Sequence, residues 1–380
     1  MIKLENIKLE KFMKSESCPC GSGKRYKACC FNKKDKEIPY DKMFNSESFL
    51  NYYIQKRVEA NKIKQCLHPN KSECKGKIKE AHSIQNNRIL SKLSEEQHVA
   101  VLKAGVDING IIADLSDKSK NKATTFTGFC DYHDTKLFRE IEVKDFDPKS
   151  NEQKFLFGYR ALALELHKKQ EMLATFQNVF ADRPSLTKVN EFIINYRLKQ
   201  LALKDLKEYK EIFDGILLEC KFSRINSYVI EFNYEIDFAI CSGFNLEYDL
   251  EGKQMNNIYS TEDERIKMIF LNIFPANNKS YFIFSWLKEE DYFFVDFIEQ
   301  LKSLGLNQFQ NYINNLLPFY SENFVLSPRL WNKYDRRQKK ELLNKFLSDF
   351  PNNPEEALFN NFKNNKRNLL VETNYNLFLK

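Results

Sequence analysis

The sequence contains no apolar run of the ~18 residues that a membrane helix needs. Its first residues, MIKLENIKLEKFMK, lack the apolar stretch of a secretory signal. A spanning or exported chain is therefore not expected, and a cytoplasmic one is. Histidine is scarce, with 5 in 380 residues, and cysteine numbers 9. In a reducing compartment such cysteines are expected to be thiols or metal ligands rather than disulfides. No internal repeat is visible. Gly21-Ser22-Gly23-Lys24 lacks the G-x4-G-K-[ST] spacing of a phosphate-binding loop, so nucleotide binding is not expected there.

Hydrophobic residues make up 42% of the chain, which excludes global disorder. The length suits two or three domains. The net charge of +7 is unevenly spread. Residues 1–80 carry 19 Lys/Arg against 10 Asp/Glu, and residues 81–380 carry 40 against 42. Seven of the nine cysteines and four of the five histidines precede residue 135. A basic, Cys/His-rich head on a near-neutral body points to zinc and to a polyanionic partner such as nucleic acid.

The most specific segment is Cys18-Pro-Cys20-Gly-Ser-Gly-Lys-Arg-Tyr-Lys-Ala-Cys29-Cys30, with the pattern C-x-C-x8-C-C. Four thiolates make a closed tetrahedral zinc site with no position left for water, which is a structural site. Gly21-Ser22-Gly23 lets the chain reverse. Lys24, Arg25 and Lys27 offset the charge of the thiolates. So short a module cannot bury a core of its own, and the metal would supply its folding energy. The segment resembles the SEC-C motif, first recognised at the C-terminus of the preprotein-translocase motor ATPase. That resemblance implies a mobile tag that binds a protein partner.

A second set of ligands follows. Cys66-Leu-His68 and Cys74 lie in a turn, and Cys130-x2-His133 stands where a helix over 135–142 is expected. Two ligands from a turn and two from a helix start make a treble-clef site. Cys66, Cys74, Cys130 and His133 are the expected set, with His68 as the alternative to Cys74. His82 lies eight residues past Cys74, in a segment 77–84 expected to form a β-hairpin with Gly76 at its turn. The stretch 63–142 thereby resembles the HNH (ββα-metal) nucleases. The resemblance implies that His82 is the general base. It also implies that Asp134, next to His133, binds a catalytic Mg2+ or Mn2+ ion. Ala81 stands where that family carries an acidic residue. Between the two halves, 83–125 is expected to hold a short helix, a strand and a basic loop at 116–122.

In the body, Phe155, Leu156, Tyr159, Leu162, Leu166, Leu173 and Phe176 keep helical spacing over 152–180, and a second helix is expected over 186–212. Arg160-x6-His167 lies at the outer edge of the R-x4–6-H pattern of HEPN-type ribonucleases, but Ala161 stands where that family has a polar residue, and a chance pairing is the expected reading. Alternation over 227–240 and aromatic runs near 268–274 and 281–287 predict an antiparallel meander of at least four strands. Its acidic residues, Glu231, Glu235, Asp237, Glu247 and Asp249, are expected on a solvent face, with Cys220 and Cys241 buried. The C-terminal part is expected to be helical, divided by Pro318, Pro328, Pro351 and Pro354. There Arg329, Lys333, Arg336, Arg337, Lys339 and Lys340 alternate with Trp331 and Tyr334.

The expected fold is α+β: a zinc module over 1–40, a treble-clef module over 45–147, and a body over 148–380. The body divides into helices at 152–212, a sheet at 215–300 and a helical end at 301–380. The expected function is that of a zinc-containing protein acting on nucleic acid, as an HNH-like metal-dependent endonuclease of bacterial defence or toxin type with structural zinc. The alternative is a non-enzymatic nucleic-acid- or ribosome-binding protein, or an adaptor acting through the SEC-C tag.

Overall fold

The structure is a computed structural model and describes residues 11–37, 47–107, 110–257, 264–321, 323–347 and 368–379. Pro351 and Pro354, and the side chains of Phe49, Leu50, Tyr53 and Ile54, lie outside the described residues.

Two long helices organise the chain. Helix α4 runs from Asn151 to Asp182 and α5 from Asn190 to Glu219. At 1.5 Å per residue α4 is about 48 Å long. Ser150 caps its start by accepting a hydrogen bond from the Gln153 amide at 3.2 Å. Every residue from Phe155 to Leu164 is buried, so this half of α4 is covered on all sides. Tyr159 donates to Asp214 of α5 at 2.7 Å, and Lys210 reaches the same carboxylate at 2.5 Å.

Beside the helices lies a seven-stranded antiparallel sheet. Its strands are β2 (His98–Asp107), β3 (Gly110–Ser119), β5 (Ile225–Phe232), β6 (Phe238–Phe244), β7 (Ile269–Ala276), β8 (Lys279–Leu287) and β9 (Phe324–Leu326). Their order is β3-β2-β9-β6-β7-β8-β5. The four expected strands are present, but the path is not a simple meander: β5 pairs with β8 and not with β6.

One sheet face, with Ala239, Cys241, Phe270, Phe274, Ile283 and Val325, packs on α4 and α5. The other, with Phe238, Ile240, Leu271, Phe282, Phe284 and Phe324, packs on α6 (Asp291–Ser303) and α7 (Leu306–Tyr320). The tail residues Tyr375 and Leu377 close the same layer. Both faces are thus covered, and the expected solvent face does not exist. The acidic residues sit at strand ends instead, where Glu231 meets Lys279, Glu235 meets Lys92, and Asp237 meets Arg329.

A separate two-stranded sheet pairs β1 (Ile78–His82) with β4 (Thr125–Cys130), antiparallel. The expected hairpin at 77–84 is therefore replaced by pairing with a strand more than forty residues away. The basic stretch 116–122 is not a free loop, because Ser116–Ser119 belong to β3. The hairpin β2–β3, inside the span 45–147, joins the large sheet through β2 and β9. Cys241 is buried as expected, but Cys220 is exposed at the left-handed C-cap of α5, with φ 53°. Helix α1, Glu47–Ala60, matches the expected helix at 49–64, yet Val58 is exposed.

Tyr334 is buried, with its hydroxyl donating to the Asn376 carbonyl at 2.7 Å. Among the described residues no helix is long and apolar enough to cross a membrane.

Candidate metal centres

The ligand atoms of Cys18, Cys20, Cys29 and Cys30 all lie within 4.8 Å of one another. Separations between sulfurs are 3.3 Å for Cys18–Cys20, 3.5 Å for Cys20–Cys29 and 3.9 Å for Cys29–Cys30. Four sulfurs at ~2.3 Å around a tetrahedral zinc stand about 3.8 Å apart, so the donor set and its spacing fit that ion.

The chain reversal has the expected origin. The Cys18 amide donates to the Lys24 carbonyl at 2.8 Å, and Gly21 has φ 74°. A side chain at Gly21 would also come within 2.9 Å of Gln177 on α4. The Ser22 hydroxyl lies 3.3 Å from the Cys29 sulfur. Burial raises the pKa of Cys20, but hydrogen bonds from Ser22 and Cys18 outweigh it and draw the thiol down to about 7.

This module sits on the far end of α4. Phe12 and Tyr26 pack with Phe180 and Tyr196. The Cys30 thiol points to the Phe180 carbonyl at 3.7 Å. Asp35 accepts from the Ser185 hydroxyl at 2.6 Å and amide at 2.9 Å, and Arg197 reaches Glu16 at 2.8 Å.

The SEC-C motif family matches residues 15–32. No curated protein and no solved structure matches the chain. The family match covers the four-cysteine cluster and no part of the second one. The docked position of the SEC-C motif on α4 and α5 is a property of this chain.

The second cluster joins Cys66, Cys74, Cys130 and His133, again within 4.8 Å. His133 Nδ1 faces the three sulfurs at 3.4 Å (Cys66), 3.6 Å (Cys74) and 3.3 Å (Cys130). A tetrahedral zinc with ordinary bond lengths places sulfur and nitrogen about 3.5 Å apart, so this set also fits.

Cys130 ends β4 and is the N-cap of α2, Asp131–Leu137; α3, Arg139–Val143, follows directly. Gly76 turns the chain from the knuckle into β1 with φ 75°, and a side chain there would lie 2.9 Å from Asp131 Cβ. Lys79 of β1 pairs with Asp131 at 2.6 Å.

His68 is not in the ligand group. Its ring stacks parallel on His133, centroids 3.8 Å apart, and its Nδ1 accepts from the Asn70 amide at 3.2 Å. Burial, with the neighbouring His133, lowers its pKa to about 4. His133 Nε2 is buried and meets no polar partner among the described residues.

His82 ends β1 opposite Thr125, with Nε2 3.1 Å from the Lys120 carbonyl. A carbonyl only accepts, so Nε2 carries the proton and Nδ1 keeps its lone pair. Burial lowers the His82 pKa, and the Arg160 charge adds to this. Burial raises the pKa of Asp134, with Glu142 adding to it and Arg160 opposing. The Asp134 carboxylate makes no hydrogen bond or ion pair among the described residues. His82 and Asp134 share Arg160 and Glu142 as charged neighbours.

Arg160 and His167 do not form a catalytic pair. Arg160 is 2% exposed, bonds Glu142 at 2.6 Å and lies over Phe138 at 4.0 Å. His167 is 1% exposed and is held between Gln65 at 3.3 Å and Glu171 at 3.1 Å. The pairing of β1 with β4 and the Arg160–Glu142 ion pair carried no local signal in the sequence.

Proposed function

We propose that the second cluster is the scaffold of a phosphodiester-hydrolysing centre, an HNH-like nuclease. The observation that carries this reading is the β1–β4–α2 unit, which ends β1 in His82, with its Nε2 held by the Lys120 carbonyl, and carries Asp134 on the helix that follows β4. His82 Nδ1 takes a proton from water, whose oxygen bonds to phosphorus as the P–O bond of the leaving strand breaks. An otherwise unpaired, partly desolvated carboxylate suits a cation, so Asp134 would hold a Mg2+ or Mn2+ ion. When bound, the ion stabilises charge on the leaving oxygen. The Lys120 carbonyl keeps the His82 ring in the required tautomer. The clusters themselves are structural, because all four positions of each are occupied by protein atoms.

A cytoplasmic defence or toxin nuclease would suit such a centre. A second reading is a nucleic-acid- or ribosome-binding protein without catalysis, and the basic charge of residues 1–80 favours it. An adaptor role for the SEC-C motif would need a protein partner that reaches it in its docked position.

The test is cleavage of plasmid and RNA by zinc-loaded protein with Mg2+ or Mn2+, wild type against His82→Ala. Loss of at least ~100-fold in rate is expected for removal of a general base. If neither protein cleaves while both bind nucleic acid in a salt-sensitive way, the binding reading stands and catalysis falls.

A further inference from the structure

A cleft of about 280 Å3 opens between the β1–β4 pair, the end of β3 and helix α4. Three lysines from three separate parts of the chain line it: Lys62 before the knuckle, Lys118 on β3 and Lys168 on α4. None of the three ammonium groups makes a hydrogen bond or ion pair among the described residues. Lys118 loses hydration, and Lys62 and Lys122 repel its charge, so its pKa falls below the ordinary lysine value against the pull of Glu80.

The carboxylates do not cancel this charge. Glu171 is engaged by His167 at 3.1 Å and by the Ile63 amide at 2.9 Å. Three ammonium groups thus share the cleft with two carboxylates, Glu80 and Glu171, and the excess is positive. A concave surface with an excess of one sign of charge concentrates the opposite sign. The wall also carries Thr125, the residue paired with His82 across β1 and β4. An anion in the cleft therefore lies on the same strand pair that ends in His82.

We propose that this cleft binds the phosphodiester backbone of a nucleic-acid strand through Lys62, Lys118 and Lys168. The inference rests on the nucleic-acid reading above and names its binding surface. A strand is favoured over a free phosphate for two reasons. The lysines come from three separate elements rather than one phosphate-sized nest. The cleft is lined by Glu80 of β1 and by Thr125 and Thr127 of β4, the strand pair that carries His82.

The experiment measures binding of labelled 12-nucleotide single strands of RNA and DNA to the full-length, zinc-loaded protein across a salt series. Lys118→Glu and Lys168→Glu should each weaken binding roughly tenfold, and Lys118→Gln should lower the slope of log K against log salt by about one. Zinc content and circular dichroism must match wild type.

If the lysine variants bind like wild type, the cleft is not the surface, whatever the result for cleavage. If inorganic phosphate competes at concentrations far below the salt used, the site takes a free anion and the strand proposal is overturned. If the lysine variants lose binding but wild type cleaves nothing, the cleft stands and the nuclease reading falls.

Discussion

The Tyr26 hydroxyl donates to Thr187 Oγ1 at 2.6 Å in a fully buried contact, because the one proton of Thr187 is given to the Pro184 carbonyl at 2.6 Å. This bond ties the SEC-C motif to the turn that joins the two long helices. The motif is therefore built into the body rather than hung from it. Its zinc cluster would stiffen the same helix whose other half supports the second cluster.

Removing that bond should loosen the motif. Tyr26→Phe leaves the ring packed and deletes one buried donor, at a cost of about 1 kcal/mol. Phe180→Ala, at a site with no exposed surface, should cost ~3–5 kcal/mol and speed proteolysis within residues 11–37. Thermal unfolding with limited proteolysis checks both. Equal protease resistance in wild type and Phe180→Ala would contradict the docked arrangement.

Zinc content separates the two clusters. Wild type is expected to carry two zinc ions per chain. Cys29→Ser and Cys74→Ser should each retain about one, and the double variant none, by elemental analysis. Cys74 is the exposed ligand of the second cluster, whereas Cys130 and His133 are buried. Beside the exposed Cys220, a thiol reagent should therefore attack Cys74 first among the ligands of this cluster, and peptide mapping would identify it. His68→Ala should keep the second zinc, since His68 stacks on a ligand rather than serving as one.

The docking contact should be acid-sensitive. Hydrogen bonds from the Ser185 hydroxyl and amide, with Arg183 nearby, hold the Asp35 pKa below its ordinary value. A depressed carboxyl pKa adds stability above the unfolded value of about 4, and that stability is lost as pH falls through the lower folded value. Asp35→Asn should thus lower Tm at neutral pH, and the gap from wild type should close below about pH 4. Zinc release from the thiolates affects both proteins alike, so the difference between them isolates Asp35. A gap that persists unchanged at low pH would exclude this role.

If His82 is a general base, the rate should rise with pH and level off. Its pKa lies below the ordinary 6.5, chiefly through burial, so the neutral form is already present at lower pH. The inflection in kcat/KM should fall under 6.5, with a slope of one on the acid side. An inflection above 7 would assign the titration to another group.

Much of the metal chemistry was legible locally. Zinc ligands commonly come in pairs a few residues apart, so C-x-C-x8-C-C and Cys130-x2-His133 show in the spacing itself. The long helix over 151–182 was equally plain, since a one-sided apolar stripe recurs every 3.6 residues. The choice between Cys74 and His68 was not. Both lie in the same turn, and the fold decides it by stacking His68 on the ring of His133.

The sheet shows the same limit. Alternation identified the four strands between 225 and 287, but it implied a wet face. Helices α6 and α7, far along the chain, cover that face, and no local pattern records which surface a distant helix will take. Pairing of β1 with β4, docking of the SEC-C motif on α4, and the lysine cleft are likewise contacts between distant segments. Residue types and short spacings dictated which atoms can hold metal. Long-range burial of apolar surface decided where those centres stand, and which charged groups share their surroundings.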